Sequence, residues 1–273
     1  MSSPEGSRSP PAENEVVRAE ARRQWSQEPP GAVAAAGEPL GTRTSFDVIE
    51  AYRYREQAWM HDVFRFERFS GAEVLEVGVG LGTDHMQFAR AGARMTGIDL
   101  TPRCVELTRR RWELEGVSSD LRIMDAEKLE FPDDSFGVVY SFGVLHHVPS
   151  SRRAFAEVRR VLRPGGVFLG GLYSRESIFW ARLLVQRWLT LGFLREPTED
   201  MLARIEYGAE EARPRVRLFG RKELRGELRG AGFQSVALKR RHVGLGRLTP
   251  YIPAPVERTI GRRVGWYLVH EAR

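Results

Sequence analysis

The sequence predicts an α/β domain built on a parallel sheet covered on both faces, and three observations carry that reading. Short apolar runs alternate with amphipathic stretches between residues 73 and 172, joined by short connections. The first run, Val74-Leu75-Glu76-Val77, is followed at once by glycines at alternate positions, Gly78, Gly80 and Gly82. A second run, Met95-Thr96-Gly97-Ile98, ends in the carboxylate Asp99, seventeen residues after Gly82. The 273 residues suffice for one such domain with a buried core, and 42% hydrophobic with 29% charged content is ordinary for a globular chain.

Residues 1–44 are rich in Ser, Pro, Glu, Gly and Ala and contain Pro10-Pro11 and Pro29-Pro30. They are expected to be a disordered tail, with a short helix around Glu13–Trp25. Ser45 is the expected N-cap of a helix that leads into the domain at 45–273. The alternation then predicts strands at 73–77, 94–98, 121–124, 137–142 and 167–172. Helices fall between them at 83–91, at 102–115 with Thr101 as N-cap and Pro102 at its first position, and at 151–162. That last helix is expected to stop before Arg163-Pro164-Gly165-Gly166. Beyond 173 the rhythm breaks into a long insertion, 174–218. A helix at 221–231, a strand at 235–241, a Gly/Pro-rich excursion at 244–263 and a last strand at 265–270 complete the chain.

The net charge of +6 admits nucleic acid or an anionic membrane as partner. All basic residues except Lys128, Lys222 and Lys239 are arginine, which a GC-rich genome explains equally well. A single cysteine, Cys104, forbids an intrachain disulfide and fits a reducing, cytoplasmic setting. The N-terminus shows no secretory pattern, and Arg182 and Arg187 interrupt the most apolar window, 178–194.

A strand, a glycine turn, a helix and a second strand tipped by a carboxylate form half of a nucleoside-binding site. Without a Cβ, the backbone at Gly78 and Gly80 approaches a ligand closely, and the helix start near Thr83 and Asp84 offers unpaired N–H groups. Asp99 can accept hydrogen bonds from both hydroxyls of a ribose. The spacing is Gly-x-Gly-x-Gly; the third glycine of a dinucleotide fingerprint is replaced by Thr83 or His85. Further on come Asp125-Ala126, Phe131-Pro132-Asp133-Asp134-Ser135-Phe136, Gly143-Val144-Leu145-His146-His147-Val148 and Val161-Leu162-Arg163-Pro164-Gly165-Gly166.

In order and spacing these motifs resemble the class I S-adenosylmethionine-dependent methyltransferases, in the small-molecule branch similar to the ubiquinone and menaquinone biosynthesis enzymes. The resemblance covers 72–173 tightly and the flanks loosely. It implies a Rossmann-like seven-stranded sheet in the order 3-2-1-4-5-7-6, strand seven antiparallel, with helices on both faces. It implies S-adenosylmethionine as cofactor, held by Gly78, Gly80, Gly82, Asp99 and its neighbour Leu100. It also implies that Asp125 accepts from the adenine amino group beside Ala126 N–H, that Glu76 organises the methionine end, and that Ser141 to Gly143 line the methionyl side. Related enzymes close an N-terminal helix over the cofactor, which makes Arg53 and Tyr54 candidates for its carboxylate; a solvated amphipathic helix is the other reading.

A sulfonium is already a good leaving group, so a base is needed only where the acceptor must lose a proton. His146 and His147 stand just beyond strand four, and at most one is expected to act, with His146 preferred and His147 the alternative; the other packs or caps. Cys104 reads as packing, and His61 and His85 are too isolated for a metal site, so none is expected. The expected reaction is methyl transfer to a small or medium-sized acceptor at O, N or C, with no nucleic-acid partner: 141–147 reads Ser-Phe-Gly-Val-Leu-His-His where base-modifying relatives carry an Asn-Pro-Pro-Tyr-like motif. A quinone or lipid-like acceptor at a membrane surface and a catalytically silent cofactor- or partner-binding module are the alternatives. The apolar stretch 178–194 reads as a lid or extra core helix, a substrate pocket, a dimer interface or a peripheral membrane contact.

Overall fold

A computed structural model describes residues 11–191, 197–206, 213–244 and 252–273. Its seven strands are β1 (Glu73–Val77), β2 (Arg94–Asp99), β3 (Asp120–Ile123), β4 (Phe136–Phe142), β5 (Leu162–Tyr173), β6 (Val236–Arg241) and β7 (Tyr267–Ala272). They form one sheet in the order β3-β2-β1-β4-β5-β7-β6. β1 to β5 pair in parallel, and β7 runs antiparallel to both β5 and β6.

Alternation of side chains along the buried strands builds two cores. Leu75 and Val77 of β1 and Val139 of β4 face one layer with Phe155, Phe168 and Phe233. Val74, Val138 and Tyr140 face the other with Trp59, Phe64, Phe88 and Trp112. These layers are the helices α6 (Ser151–Val161) and α9 (Arg221–Gly230) on one side, and α3 (Trp59–Phe64), α4 (Thr83–Arg90) and α5 (Pro102–Glu115) on the other. Because both faces are covered, the strands read as near-continuous apolar runs.

Several elements depart from the sequence expectation. Helix α2 (Arg43–Glu56) is capped by Thr42, whose Oγ1 accepts from Ser45 N at 3.2 Å, so Ser45 lies inside the first turn. Thr101 is the N-cap of α5, as expected, though without a side-chain cap bond. β5 begins at Leu162, which pairs with Phe136 ahead of a register shift, so Arg163 to Gly166 belong to the strand instead of to a loop. The last strand starts two residues later than its glycine suggested.

The largest departure is the N-terminal segment. Within 1–44, residues 11–44 hold α1 (Pro11–Gln27) and a 3-10 turn at Ala32–Ala35, both packed on the domain. Ala21 and Gln24 are buried, and Ala35 joins Ile49, Leu81 and Leu107 in a small core. A polar, alanine-rich composition suggests disorder because it cannot bury enough apolar surface alone; here α5 and α2 supply the partner surface.

The insertion 174–218 carries α7 (Ile178–Leu189) and α8 (Thr198–Glu206), and the excursion 244–263 carries α10 (Ala254–Val264), with 245–251 outside the described residues. α7 is not an extra core helix: none of its residues is buried, and Phe179 and Trp180 pack against the cluster of Tyr173, Leu202 and Trp266. Phe193 and Leu194 lie outside the described residues.

The antiparallel insertion of β7 depends on Gly170. A Cβ there would stand 2.2 Å from Ser141 O and 2.8 Å from the His270 ring. His270 is buried against Phe168, and burial pulls its pKa down to about 3. The folded state therefore resists a proton that the unfolded chain takes up near pH 6.5, so this contribution to stability is complete above that pH and is lost as pH falls towards 3. Each such histidine steepens the fall by up to about 1.4 kcal/mol per pH unit. Urea unfolding of His270→Gln between pH 6.5 and 4 is expected to show a flatter dependence on pH than the parent chain. An unchanged slope would contradict the burial of a neutral His270.

Candidate active site

A cavity of about 350 Å³ opens at the carboxyl ends of β1, β2 and β4, the edge where open α/β sheets bind ligands. Its floor is the glycine turn. Gly78, Gly80 and Gly82 all have positive φ, at 83°, 54° and 70°. A Cβ on Gly78 would meet Val144 at 2.3 Å, so the turn can pass under the loop after β4 only as glycine.

Asp99 leaves the tip of β2 and is pinned by backbone donors, Gly80 N to Oδ2 at 3.0 Å and Thr101 N to Oδ1 at 2.9 Å. Burial raises its pKa, and these N–H groups pull in the opposite direction. Each carboxylate oxygen retains a further lone pair for a ligand hydroxyl.

Glu76 is buried at the end of β1, with Oε2 at 2.8 Å from His85 Nδ1. Ser119 Oγ donates to Met95 O, so it accepts from His85 Nε2, 3.0 Å away. In the neutral ring Nδ1 is then the acceptor, and a protonated Glu76 carboxyl would donate to it. The directions agree: burial, then the charge of Asp84, pushes Glu76 well above its usual value, while burial pulls His85 down to about 3. His85, too isolated in sequence for a metal site, thus has a place beside Glu76 that sequence alone did not suggest.

Asp84, in the first turn of α4, collects Arg53 Nε at 3.1 Å, Arg53 Nη2, Tyr54 Oη at 2.9 Å and Tyr140 Oη at 2.8 Å. Burial would raise its pKa, but the Arg53 guanidinium and these hydrogen bonds hold it below the usual range. Arg53 reaches the cavity wall, 5.0 Å above the Phe142 ring, whereas Tyr54 ends on Asp84 and does not line the cavity.

Leu100, Asp125, Ala126 and Gly143 also line the cavity; Gly82 and Ser141 do not. Gly82 turns the chain into α4, and Ser141 Oγ donates to Val77 O at 3.0 Å, bracing β4 to β1. Asp125 is already engaged: Arg18 of α1 donates to its Oδ2 at 2.6 Å and to Glu127 at 2.7 Å. Nothing in the sequence pattern linked Arg18 to this site.

The histidine pair divides differently from the sequence preference. His147 lines the cavity, with Nδ1 donating to Arg215 O at 2.7 Å and its ring 5.4 Å from Trp25. His146 lies fully buried behind it, its ring 4.0 Å from Tyr173, and burial, then the neighbouring His147, lowers its pKa to about 4. His147 is thus the better placed of the two for proton transfer, because it alone reaches the cavity. Glu206, the last residue of α8, joins them, its Oε1 3.7 Å from His147 Nε2 and 3.8 Å from His146 Nε2. Burial would raise the Glu206 pKa, but the two histidines and Tyr173 hold it low. No motif marked Glu206, because it lies in the insertion, 59 positions beyond His147 in sequence. These three residues could hold a metal ion.

Residues 75–170 match a family model described as "Methyltransferase domain". A ubiquinone biosynthesis O-methyltransferase of Paramagnetospirillum magneticum is 36% identical over 132 residues, covering 48% of this chain and 53% of that protein. A phthiotriol/phenolphthiotriol dimycocerosates methyltransferase of Mycobacterium tuberculosis is 43% identical over 100 residues, 36% of each chain. The chain therefore spans about half or less of the length of these relatives. Among solved structures, the 1,6-didemethyltoxoflavin-N1-methyltransferase of Burkholderia thailandensis, with bound 1,6-didemethyltoxoflavin and S-adenosylhomocysteine, is similar in fold, with a TM-score of 0.54 at 20% identity over 100% of this chain and 92% of that one. Motifs, sheet order and matches agree: residues 75–170 match a methyltransferase domain, set in a seven-stranded sheet of order β3-β2-β1-β4-β5-β7-β6.

Proposed function

We propose that this protein transfers the methyl group of S-adenosylmethionine to a small or medium-sized acceptor. The observation that carries the reading is the convergence on one cavity of the Gly78–Gly80 turn, Asp99, Asp125 and Glu76. The residues fit that group: the Gly78–Gly80 backbone lines the cavity, and buried Asp99 keeps acceptor capacity beside it. Bound there, the cofactor supplies a sulfonium-activated methyl group.

The chain's own residues do the rest. Asp99 and the turn hold the nucleoside, and Arg53, anchored by Asp84, offers a cation for a carboxylate. α1 and Pro30 lie along the cavity and limit its water, which strengthens every charge interaction inside. His147 presents the lone pair of Nε2 towards the cavity, because its Nδ1–H is committed to Arg215 O. Asp99→Ala removes charge-assisted hydrogen bonds worth about 1.5–3 kcal/mol each, so calorimetric titration is expected to show at least about ten-fold weaker cofactor binding. Unchanged affinity in a folded Asp99→Ala chain would refute the assignment, and a cofactor-binding chain that methylates nothing across a panel of quinones, phenols and amines would be a silent module.

Within this reading the acceptor is lipid-like and met at a membrane surface. The support is α7, whose outer half exposes Leu184, Val185, Trp188 and Leu189, with Trp188 at 70%, beside Arg182 and Arg187. No helix among the described residues is long and apolar enough to cross a membrane. Two relatives are named for ubiquinone biosynthesis and for dimycocerosates. Co-sedimentation with anionic liposomes is expected for the parent chain and is expected to fall several-fold for Trp188→Ser with Leu189→Ser; no sedimentation of the parent would remove the membrane surface from the proposal.

A further inference from the structure

We propose that His146, His147 and Glu206 bind a divalent transition-metal ion in the wall of this cavity. Their ligand atoms all lie within 4.8 Å of one another, and all three residues are buried. His146 Nε2, His147 Nε2 and Glu206 Oε1 have no hydrogen-bond partner among the described residues. Leaving three such buried atoms unpaired is costly, so the arrangement calls for a shared partner.

The tautomer narrows what that partner is. Nδ1 of His147 faces a carbonyl, Arg215 O, so it carries the hydrogen and Nε2 of the neutral ring presents a lone pair. An ionised Glu206 is also only an acceptor. These two lone-pair donors face each other at 3.7 Å, and His146 Nε2 approaches the same carboxylate oxygen at 3.8 Å. A hydrogen bond would draw such a pair to about 2.7–3.2 Å, and one proton would serve only one histidine. Around a metal with bonds of about 2.0–2.2 Å, ligand atoms at tetrahedral angles stand about 3.3–3.6 Å apart, close to the two separations from Glu206 Oε1, and the set as a whole lies within 4.8 Å, so a small inward shift of the histidines completes the site.

The surroundings also suit an ion. The His147 Nδ1–H bond to a backbone carbonyl is the usual way a ligating imidazole is oriented. The Tyr173 ring lies tilted against His146, with centroids 4.0 Å apart, and helps enclose the cluster. Two imidazoles and one carboxylate select zinc, iron(II), manganese or cobalt over magnesium and calcium, which prefer all-oxygen sites. Three protein ligands leave coordination positions for a water or an acceptor oxygen, and His147 and Glu206 both reach the cavity.

The ion's role rests on the methyl-transfer reading; the site itself does not. An acceptor hydroxyl bound to the ion would lose its proton to water near neutral pH. The oxygen would then form the O–CH3 bond as the S–CH3 bond breaks, its electron pair passing to sulfur and leaving a neutral thioether. This assigns the acceptor atom as oxygen, on a phenol, catechol or enol.

The full chain, stripped with a chelator, would be titrated with cobalt(II) and followed by its visible absorption, with zinc as competitor. One ion per chain is expected, displaced by zinc, with affinity at least ten-fold lower in both Glu206→Gln and His147→Gln. Calorimetric titration with S-adenosylmethionine on the same samples separates the two readings. Cofactor binding retained in Glu206→Gln while cobalt affinity falls supports the site. Cobalt binding without cofactor binding in the parent chain refutes the functional reading and leaves the site standing. Absence of cobalt bands in the parent chain, or equal affinity in a folded Glu206→Gln, overturns the site and leaves a protonated His147–Glu206 ion pair as the account of the cluster.

Discussion

Buried Asp84 is the constraint on which the site depends. Four hydrogen bonds from Arg53, Tyr54 and Tyr140 converge on its two oxygens, and they tie α2, α4 and β4 together at the carboxyl edge of the sheet. An ionised carboxylate out of water is tolerable only with such partners, and the first turn of α4 adds the favourable end of a helix dipole. The charge also acts at a distance: burial first, and then the Asp84 charge, push the Glu76 pKa upward. Asp84 thus both anchors Arg53 and favours the neutral form of Glu76.

The cavity has two chemically different sides. The tips of β1 and β2 supply glycine backbone and acceptors suited to a nucleoside. The loop after β4 and the end of α8 supply His147 and Glu206, which suit proton or metal chemistry. The helices that close the cavity, α1 and α8, lie outside the segment that matches the family model. This is the division expected when one fold serves many acceptors: the shared segment holds what is common, and the additions hold what differs.

Much of the fold was legible in sequence because it rests on local periodicity. The runs at 73–77 and 94–98 could only be buried strands, and Pro102 after Thr101 could only open a helix, since a missing N–H costs nothing there. Boundaries failed where partners far along the chain decide them. Leu162 extends β5 because Phe136 lies beside it, and Thr42 caps α2 because its hydroxyl reaches Ser45 N. Residues 11–44 looked disordered because their burial is provided entirely by α5, α2 and the cavity rim.

The sequence by itself determined the order of strands and helices, the glycine turn and the carboxylates at the strand tips, because each follows from residue type at short spacing. It could not determine which side chains meet. Glu76 found His85, Asp84 found Arg53, and His147 found Glu206 only when the sheet edge and the insertion were brought together in space. The choice between His146 and His147 likewise belonged to tertiary structure, since adjacent residues point in different directions and only packing decides which of them faces the cavity.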